Sequence, residues 1–323
     1  MIRFATHDLA PQDRFDHWRE VRGKHLFGVT IEMPAARRAG FRGTFSARPI
    51  GNAIASELRA SAYQVSRTPA DIARVAADSL CIGWQIHGAG MFDTGSGHHQ
   101  FVGNGDMIVN HSDQPYRATP ATTDDFHFRL LKIPVDDTLM LGQPVDDLFA
   151  ARYVASEAFS RPFRALFRAL TANDAHLDDP AADLAHVTRL ALVARGRLRP
   201  GMTEVRAALR AGQRYAAREI MARRRHQPDL TPTMVATELG ISVRQLFIVF
   251  ESVGQSYLQT LTLLRLDAAL NLLAAQDTVS VTKIFQMCGF DSLATFYRVF
   301  KRYHGMAPGE YREQQLAMQR TSM

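Results

Sequence analysis

From Ser79 to His87 the chain alternates, placing Leu80, Ile82, Trp84 and Ile86 on one side of an extended segment, which is the periodicity of a strand. Gly103-Asn-Gly-Asp106 is a turn signal, and the apolar Met107-Ile-Val109 follows it. Phe126 to Ile133 predicts another strand, closed by Pro134. Short alternating stretches broken by glycine and proline continue to about residue 135 and predict a β-barrel or β-sandwich. Beyond that point the period changes. Phe159, Phe163, Leu166, Phe167 and Leu170 recur at spacings of three and four, a helical stripe. Further helices are predicted over 181–198 and 203–225. On the latter, Arg206, Arg210, Arg214 and Arg218 lie four apart, as a solvated face or as one turned toward phosphate or a partner.

The last hundred residues carry a repeated pattern. Thr231-Pro232 can cap a helix that bears Val235, Ala236 and Leu239. Gly240 breaks it, and Ser242 can cap a second helix with Leu246, Val249 and Phe250 inward. About fifty residues on, the pattern returns. A helix over 281–288 carries Val281, Ile284 and Met287, Gly289 breaks it, and Phe290 plugs the turn. Ser292 then caps a helix with Phe296, Val299 and Phe300 inward. Helix, glycine turn and capped helix make a helix-turn-helix, whose second helix can enter a major groove about 12 Å wide. Between the two units, residues 256–275 predict one amphipathic helix bearing Leu258, Leu261, Arg265, Ala268, Leu272 and Leu273. Such a rod spans roughly 30 Å, close to the ~34 Å turn of DNA, and suits two reading helices on successive groove segments.

Composition narrows the picture. The 323 residues predict two domains, and 46% hydrophobic with 22% charged residues is ordinary for a chain with a full core. No apolar run approaches the roughly 18 residues of a membrane span, and the N-terminus lacks a signal-peptide pattern, so a cytoplasmic location is expected. Cys81 and Cys288 lie far apart and read as buried small hydrophobes in a reducing compartment. The net charge of +6 suits phosphate contact without proving it. His87, His98, His99, His111 and His127 raise the rival reading of a metal-dependent cupin-type enzyme fused to a DNA-binding domain. His98 and His99 are adjacent, in a glycine-rich turn with no carboxylate at the needed spacing. A repair methyltransferase would need reactive, metal-bound cysteines, which two isolated ones do not supply. No catalytic residue, metal ligand or cofactor is expected.

The C-terminal residues resemble the DNA-binding domain of the AraC/XylS family of transcription regulators. The second unit matches at Gly289, Phe290, Ser292, Phe296, Arg298, Phe300, Lys301, Gly305, Pro308, Tyr311 and Arg312. The first matches at Ala236, Leu239, Ser242, Leu246, Phe250 and Gly254, and the spacer at Arg265, Ala268 and Leu273. Phe41-Arg42-Gly43, Ser66-Arg67-Thr68, the strand around Trp84, Gly103 to Asp106 and Pro115-Tyr116 resemble the cupin-like sensor of one branch of that family. The resemblance implies an α+β chain: a cupin-like effector-binding β domain over 1–135, a helical dimerisation segment over 136–200, a helical linker over 201–227 and an all-α DNA-binding domain over 228–316. Its helix-turn-helix units span 233–252 and 281–303. Phe247 and Ile248 stand where the family usually shows a polar or basic residue, and they can touch only a thymine methyl. Base reading in the first unit then falls mainly to Arg244 and Gln245. In the second unit, Leu293, Thr295 and Arg298 would read bases, and Ser292, Lys301 and Arg302 would hold phosphates. The partners implied are double-stranded promoter or operator DNA, a second copy of the chain, RNA polymerase if the chain activates, and an aromatic or carboxylic metabolite as effector, with no membrane. Arg42 or Arg67 would pair with its carboxylate, and Trp84 and Tyr116 would stack on its ring.

Overall fold

The alternating segments of the first half pair into two antiparallel sheets in the computed structural model, which describes residues 2–95, 97–172, 177, 179–251, 254–275 and 279–321. The chain divides into two units, Met1–Gly212 and Gln213–Met323. In the first unit, the strands in chain order are β1 (Ile2–Ala5), β2 (Thr30–Glu32), β3 (Gly43–Ile50), β4 (Ala53–Ala60), β5 (Gln64–Arg67), β6 (Ser79–His87), β7 (Gly90–Asp93), β8 (His99–Val102), β9 (Met107–His111), β10 (Tyr116–Pro120), β11 (Phe126–Pro134) and β12 (Ala151–Arg152). Among the described residues, one sheet runs β1-β3-β4-β11-β6-β9-β12 and the other β2-β5-β10-β7-β8.

Strand register decides what each face does. Leu131 on β11 lies opposite Ile82 on β6 and Ala55 on β4. These side chains, with Leu80 and Ile133, are buried on the face against which a long helix packs. The neighbouring residues Cys81, Gly83, Gln85, Phe128, Leu130 and Lys132 point the other way, toward the second sheet. Gly83 belongs there because a Cβ would stand 2.3 Å from the ring of Phe128. Part of the space between the sheets is filled by Phe15, Trp18, Phe41, Phe45 and Leu58.

The helices of this unit are the short α1 (Arg14–Trp18), α2 (Ala35–Arg38), α3 (Pro69–Arg74) and α4 (Asp137–Met140), then α5 (Glu157–Thr171) and α6 (Pro180–Ala194). Thr68 and Asp71 form a reciprocal capping box at the start of α3, and Asp179 caps α6 by accepting from the Ala181 and Ala182 N–H groups. Helix α5 buries Phe163, Leu166, Phe167 and Leu170, as its spacing predicts, and lies against β4, β11 and α6. Arg48 on β3 donates to the carbonyls of Leu170 and Ala172 at 2.7 and 2.6 Å, closing the free end of that helix on the sheet.

Helix α7 (Thr203–Arg224) is one continuous helix, and the boundary between units falls within it, between Gly212 and Gln213. Its four-spaced arginines do not share one environment. Arg206 is exposed, whereas Arg214 is buried with its guanidinium 5.2 Å from the ring of Tyr215. The second unit continues with α8 (Pro232–Leu239), α9 (Val243–Glu251), α10 (Tyr257–Ala275), α11 (Val281–Met287), α12 (Leu293–His304) and α13 (Pro308–Thr321). Its aromatic core joins Phe290, Phe296 and Phe300 to Leu266, Ala269 and Leu273 of α10 and Ile284 of α11. Two expectations about packing are corrected. Leu258 is 68% exposed, and Tyr257 and Thr260 face inward beside the expected Leu261. Met287 is 42% exposed, and the half-buried Phe285 packs beneath α12 in its place, beside the expected Ile284. Both cysteines are buried. Among the described residues no single helix is long and apolar enough to cross a membrane.

Candidate nucleic-acid interface and effector cavity

Each helix-turn-helix is set by local chemistry. The Thr231 hydroxyl accepts from the Met234 N–H, and Pro232 fixes the first turn of α8. Gly240 takes φ +75° and ends the helix, Ser242 caps α9 through the Gln245 N–H at 3.1 Å, and the two helices meet at 98°. In the second unit Ser280 caps α11 through Lys283 N–H, and Ser292 caps α12 through Thr295 N–H at 3.1 Å. Gly289, between them, has φ +79°, and a Cβ there would lie 2.1 Å from the Arg225 carbonyl oxygen. The same carbonyl accepts from Arg265 Nε at 3.0 Å, and Arg265 Nη2 donates to the carbonyl of Gln227 at 2.7 Å. The buried Arg265 thus ties α10 to the segment leading into α8, the first helix of the first helix-turn-helix. Tyr257 does the same by donating from Oη to the Leu230 carbonyl.

The outward face of α12 presents Leu293, Thr295, Arg298, Lys301 and Arg302, all exposed and with no acidic residue on the helix. Ser292 is exposed as well, but its hydroxyl is engaged, capping the helix and donating to Thr295 Oγ1 at 3.0 Å. On α9, Arg244, Phe247 and Ile248 are exposed. Gln245 differs: it is half-buried, and its side-chain amide donates to Gln213 Oε1 at 3.4 Å, so it is held toward α7. Tyr297, 38% exposed, shares the outward face of α12 and was not singled out by the helical pattern.

The first unit holds a partly open cavity of about 150 Å³ between its sheets. Aromatic walls come from Phe27, Tyr63, Phe92, Tyr116, Phe126 and Phe128. Tyr116 is in this wall, with its ring stacked on Phe92 at 5.8 Å, and burial pushes its phenol up to about 12. Arg67 also touches the cavity, but its guanidinium is consumed by the fold. It donates to the carbonyls of Phe27, Gly28, Val75 and Ser112 and pairs with Asp113 at 3.0 Å. The other two expected contacts lie elsewhere. Arg42 is exposed, just before β3, and does not line the cavity. Trp84 has the opposite strand parity from Cys81 and Gly83, so its ring packs edge-on against Phe167 of α5 at 6.4 Å. The histidines are dispersed: His99 faces Asp93, His111 faces Asp78 and His127 faces Glu57. Among the described residues no three metal-binding side chains converge.

Comparison with known proteins agrees with both halves of this picture. A helix-turn-helix domain family matches residues 235–314. An AraC-binding-like domain family matches residues 18–196, more than half of the chain. The chain belongs to the AraC family of DNA-binding transcription regulators. The transcriptional activator NphR of Rhodococcus sp. is 23% identical over 97% of this chain and 93% of its own length. GadX of Escherichia coli O6:H1 is 37% identical over 26% of this chain, which spans only 31% of the GadX length. A solved structure, the AraC-like transcriptional activator CuxR, covers 88% of this chain and 100% of its own at 19% identity and TM-score 0.48. The matched families and relatives are regulators rather than enzymes.

In this AraC-family chain the cavity holds charged and polar groups that sequence patterns did not flag: Arg22, Gln85, Asn110 and Lys132. Lys132 and Gln85 could have been found by strand parity, since each is two residues from another inward side chain. Arg22 carried no such signal. It sits in the π-helical stretch Arg19–Phe27, whose side chains follow neither a strand nor an α-helix period.

Proposed function

We propose that the chain activates transcription as a cytoplasmic homodimer, reading promoter DNA chiefly through α12 and responding to a small molecule held between the two sheets. The observation that carries the DNA reading is the acid-free, outward face of α12 behind a capped glycine turn. Leu293 and Thr295 stand in the first turn of that helix, the part that meets base edges when such a helix enters a major groove, and the long side chain of Arg298 follows one turn on. Lys301 and Arg302, about one turn beyond Arg298, suit phosphates, as does Ser292 at the N-terminus. The first helix-turn-helix contributes Arg244 and an apolar contact from Phe247. Gln245 joins them only by giving up its bond to Gln213. Activation, with RNA polymerase as the partner, is supported by the likeness to NphR along nearly the whole chain. Two copies would multiply the discrimination of one. No enzymatic role is proposed.

The test is binding of the full chain to promoter fragments from its own genome against random competitor DNA, at two salt concentrations. Arg298→Ala is expected to weaken operator binding by about 1–3 kcal/mol, roughly five- to 150-fold, while binding to random DNA stays nearly unchanged. Equal losses on both would make Arg298 a phosphate contact. Sedimentation of the full chain, with and without DNA, tests the dimer.

A further inference from the structure

Among the described residues, the cavity wall includes three cations, Arg22, Arg67 and Lys132, and no aspartate or glutamate. Arg67 is neutralised by Asp113 and by four carbonyls. Arg22 has no such relief. The residue is 8% exposed, and its Nε and Nη1 are buried without a hydrogen-bond partner. No ion pair or hydrogen bond of its side chain occurs among the described residues. Two rings lie against it, Phe27 at 4.7 Å and Tyr63 at 5.8 Å from the guanidinium carbon. Both rings line the same cavity. Lys132 is half-buried on β11, also without a partner among the described residues.

A buried charge without a counter-ion is strongly unfavourable, and proteins rarely keep one unless something else supplies the opposite charge. Two ring contacts offset part of that cost for a guanidinium, because its faces stack while its edge N–H groups stay free to donate. The free edge is the part shaped to take a carboxylate through two parallel hydrogen bonds. The remaining walls are aromatic, and a space of about 150 Å³ accommodates one small ring.

We propose that Arg22 is the anion receptor of this chain: the cavity takes a small arylcarboxylate, its carboxylate clamped by Arg22 with Lys132 adding charge, and its ring held among Phe92, Tyr116 and Phe128. This rests on reading the cavity as the effector site. It reassigns the carboxylate contact from Arg42, which is exposed outside the cavity, and from Arg67, whose donors are already taken. It also reverses the ordinary expectation for a buried arginine. Arg22 destabilises the empty chain and is held in place for binding.

The experiment uses the full chain, calorimetry and thermal melting, with substituted benzoates and phenylacetates set against benzamides and benzylamines of the same size. Arylcarboxylates are expected to bind and raise the melting temperature, and the amides and amines are not. Arg22→Gln is expected to weaken arylcarboxylate binding about ten- to a hundredfold, with Arg22→Lys in between. The ligand-free Arg22→Gln chain is expected to melt at or above wild type, since it no longer buries a lone charge. Arg42→Gln is expected to change neither readout. If Arg22→Gln melts below wild type and binds arylcarboxylates equally well, Arg22 is a structural cation and the proposal fails. If amides or amines bind as tightly as the acids, the cavity remains an effector site but not one selective for anions. If none of the three classes binds, both the proposal and the effector-site reading fall.

Discussion

Replacing Gly289 with alanine isolates the energetic weight of the turn in the second helix-turn-helix. Two costs follow from the structure. At φ +79° an L-residue lies in the left-handed region, which costs roughly 1–2 kcal/mol. The new Cβ would also stand 2.1 Å from the Arg225 carbonyl oxygen, which is backbone and has little freedom to swing away. Relief requires that carbonyl to shift, and it is an acceptor for the buried Arg265. Losing a hydrogen bond to a charged group adds about 1.5–3 kcal/mol. Together Gly289→Ala is expected to cost about 3–5 kcal/mol. Gly305→Ala is the matched control, because Gly305 has φ +75° but nothing within 4 Å of its Cβ position, leaving only the ~1–2 kcal/mol backbone cost. The assay is urea unfolding of the full chain followed by two probes. Both tryptophans, Trp18 and Trp84, belong to the first unit, so their fluorescence reports that unit, while far-ultraviolet circular dichroism weights the helical second one. Gly289→Ala should shift the helical transition to markedly lower urea than Gly305→Ala and leave the tryptophan transition in place. Equal shifts for the two alanines would refute the argument that Gly289 is required by close approach to Arg225.

Three further outcomes follow from the same contacts. Arg67→Ala strands Asp113 and removes the donors for four carbonyls, and is expected to destabilise the first unit by about 3–5 kcal/mol in the tryptophan-monitored transition. Burial pushes the Asp113 carboxyl up, but the Asp78 and Ala77 N–H groups and Arg67 outweigh it and hold it below 3.8. Its contribution is therefore complete above that value and lost as pH falls through the lower folded-state value, so Asp113→Asn should flatten the acid limb of a pH-stability curve and lower stability at neutral pH. Burial pushes the Cys81 and Cys288 thiols up to about 11, so neither should react with a thiol reagent at neutral pH until the chain is unfolded. Rapid labelling of either in the native chain would contradict that placement.

The parts of the molecule that were legible in the sequence are those written in local chemistry. Thr231, Ser242 and Ser292 cap the helices that follow them, and Gly240 and Gly289 stop the helices before them, each through contacts within a few residues in the chain. Phe296 and Phe300 face the core because a twelve-residue helix gives the period enough turns to register. Seven residues did not: over α11 the three-and-four pattern fits Met287 as well as Phe285, and packing beneath α12 chose between them. The sensor half failed for a different reason. Alternation along β6 separates Leu80, Ile82 and Trp84 from Cys81, Gly83 and Gln85, but both sets are largely buried, and a period of two does not say which faces a ligand and which faces helices. Only the arrival of α5, some eighty residues later in the chain, assigns Trp84 to the helix side. Arg22 is buried through Phe27 nearby and Tyr63 far along the chain, a closure no window of sequence contains.

The anchoring of Arg265 to the carbonyls of Arg225, Gln227 and Pro228 bears on where the molecule can be cut. A fragment trimmed to residue 229 would keep every residue of both reading helices yet expose an arginine built to sit under a peptide it no longer has. Chimeras and expression fragments should carry the chain from Gln213 onward, so that the tail of the preceding helix travels with the domain it braces.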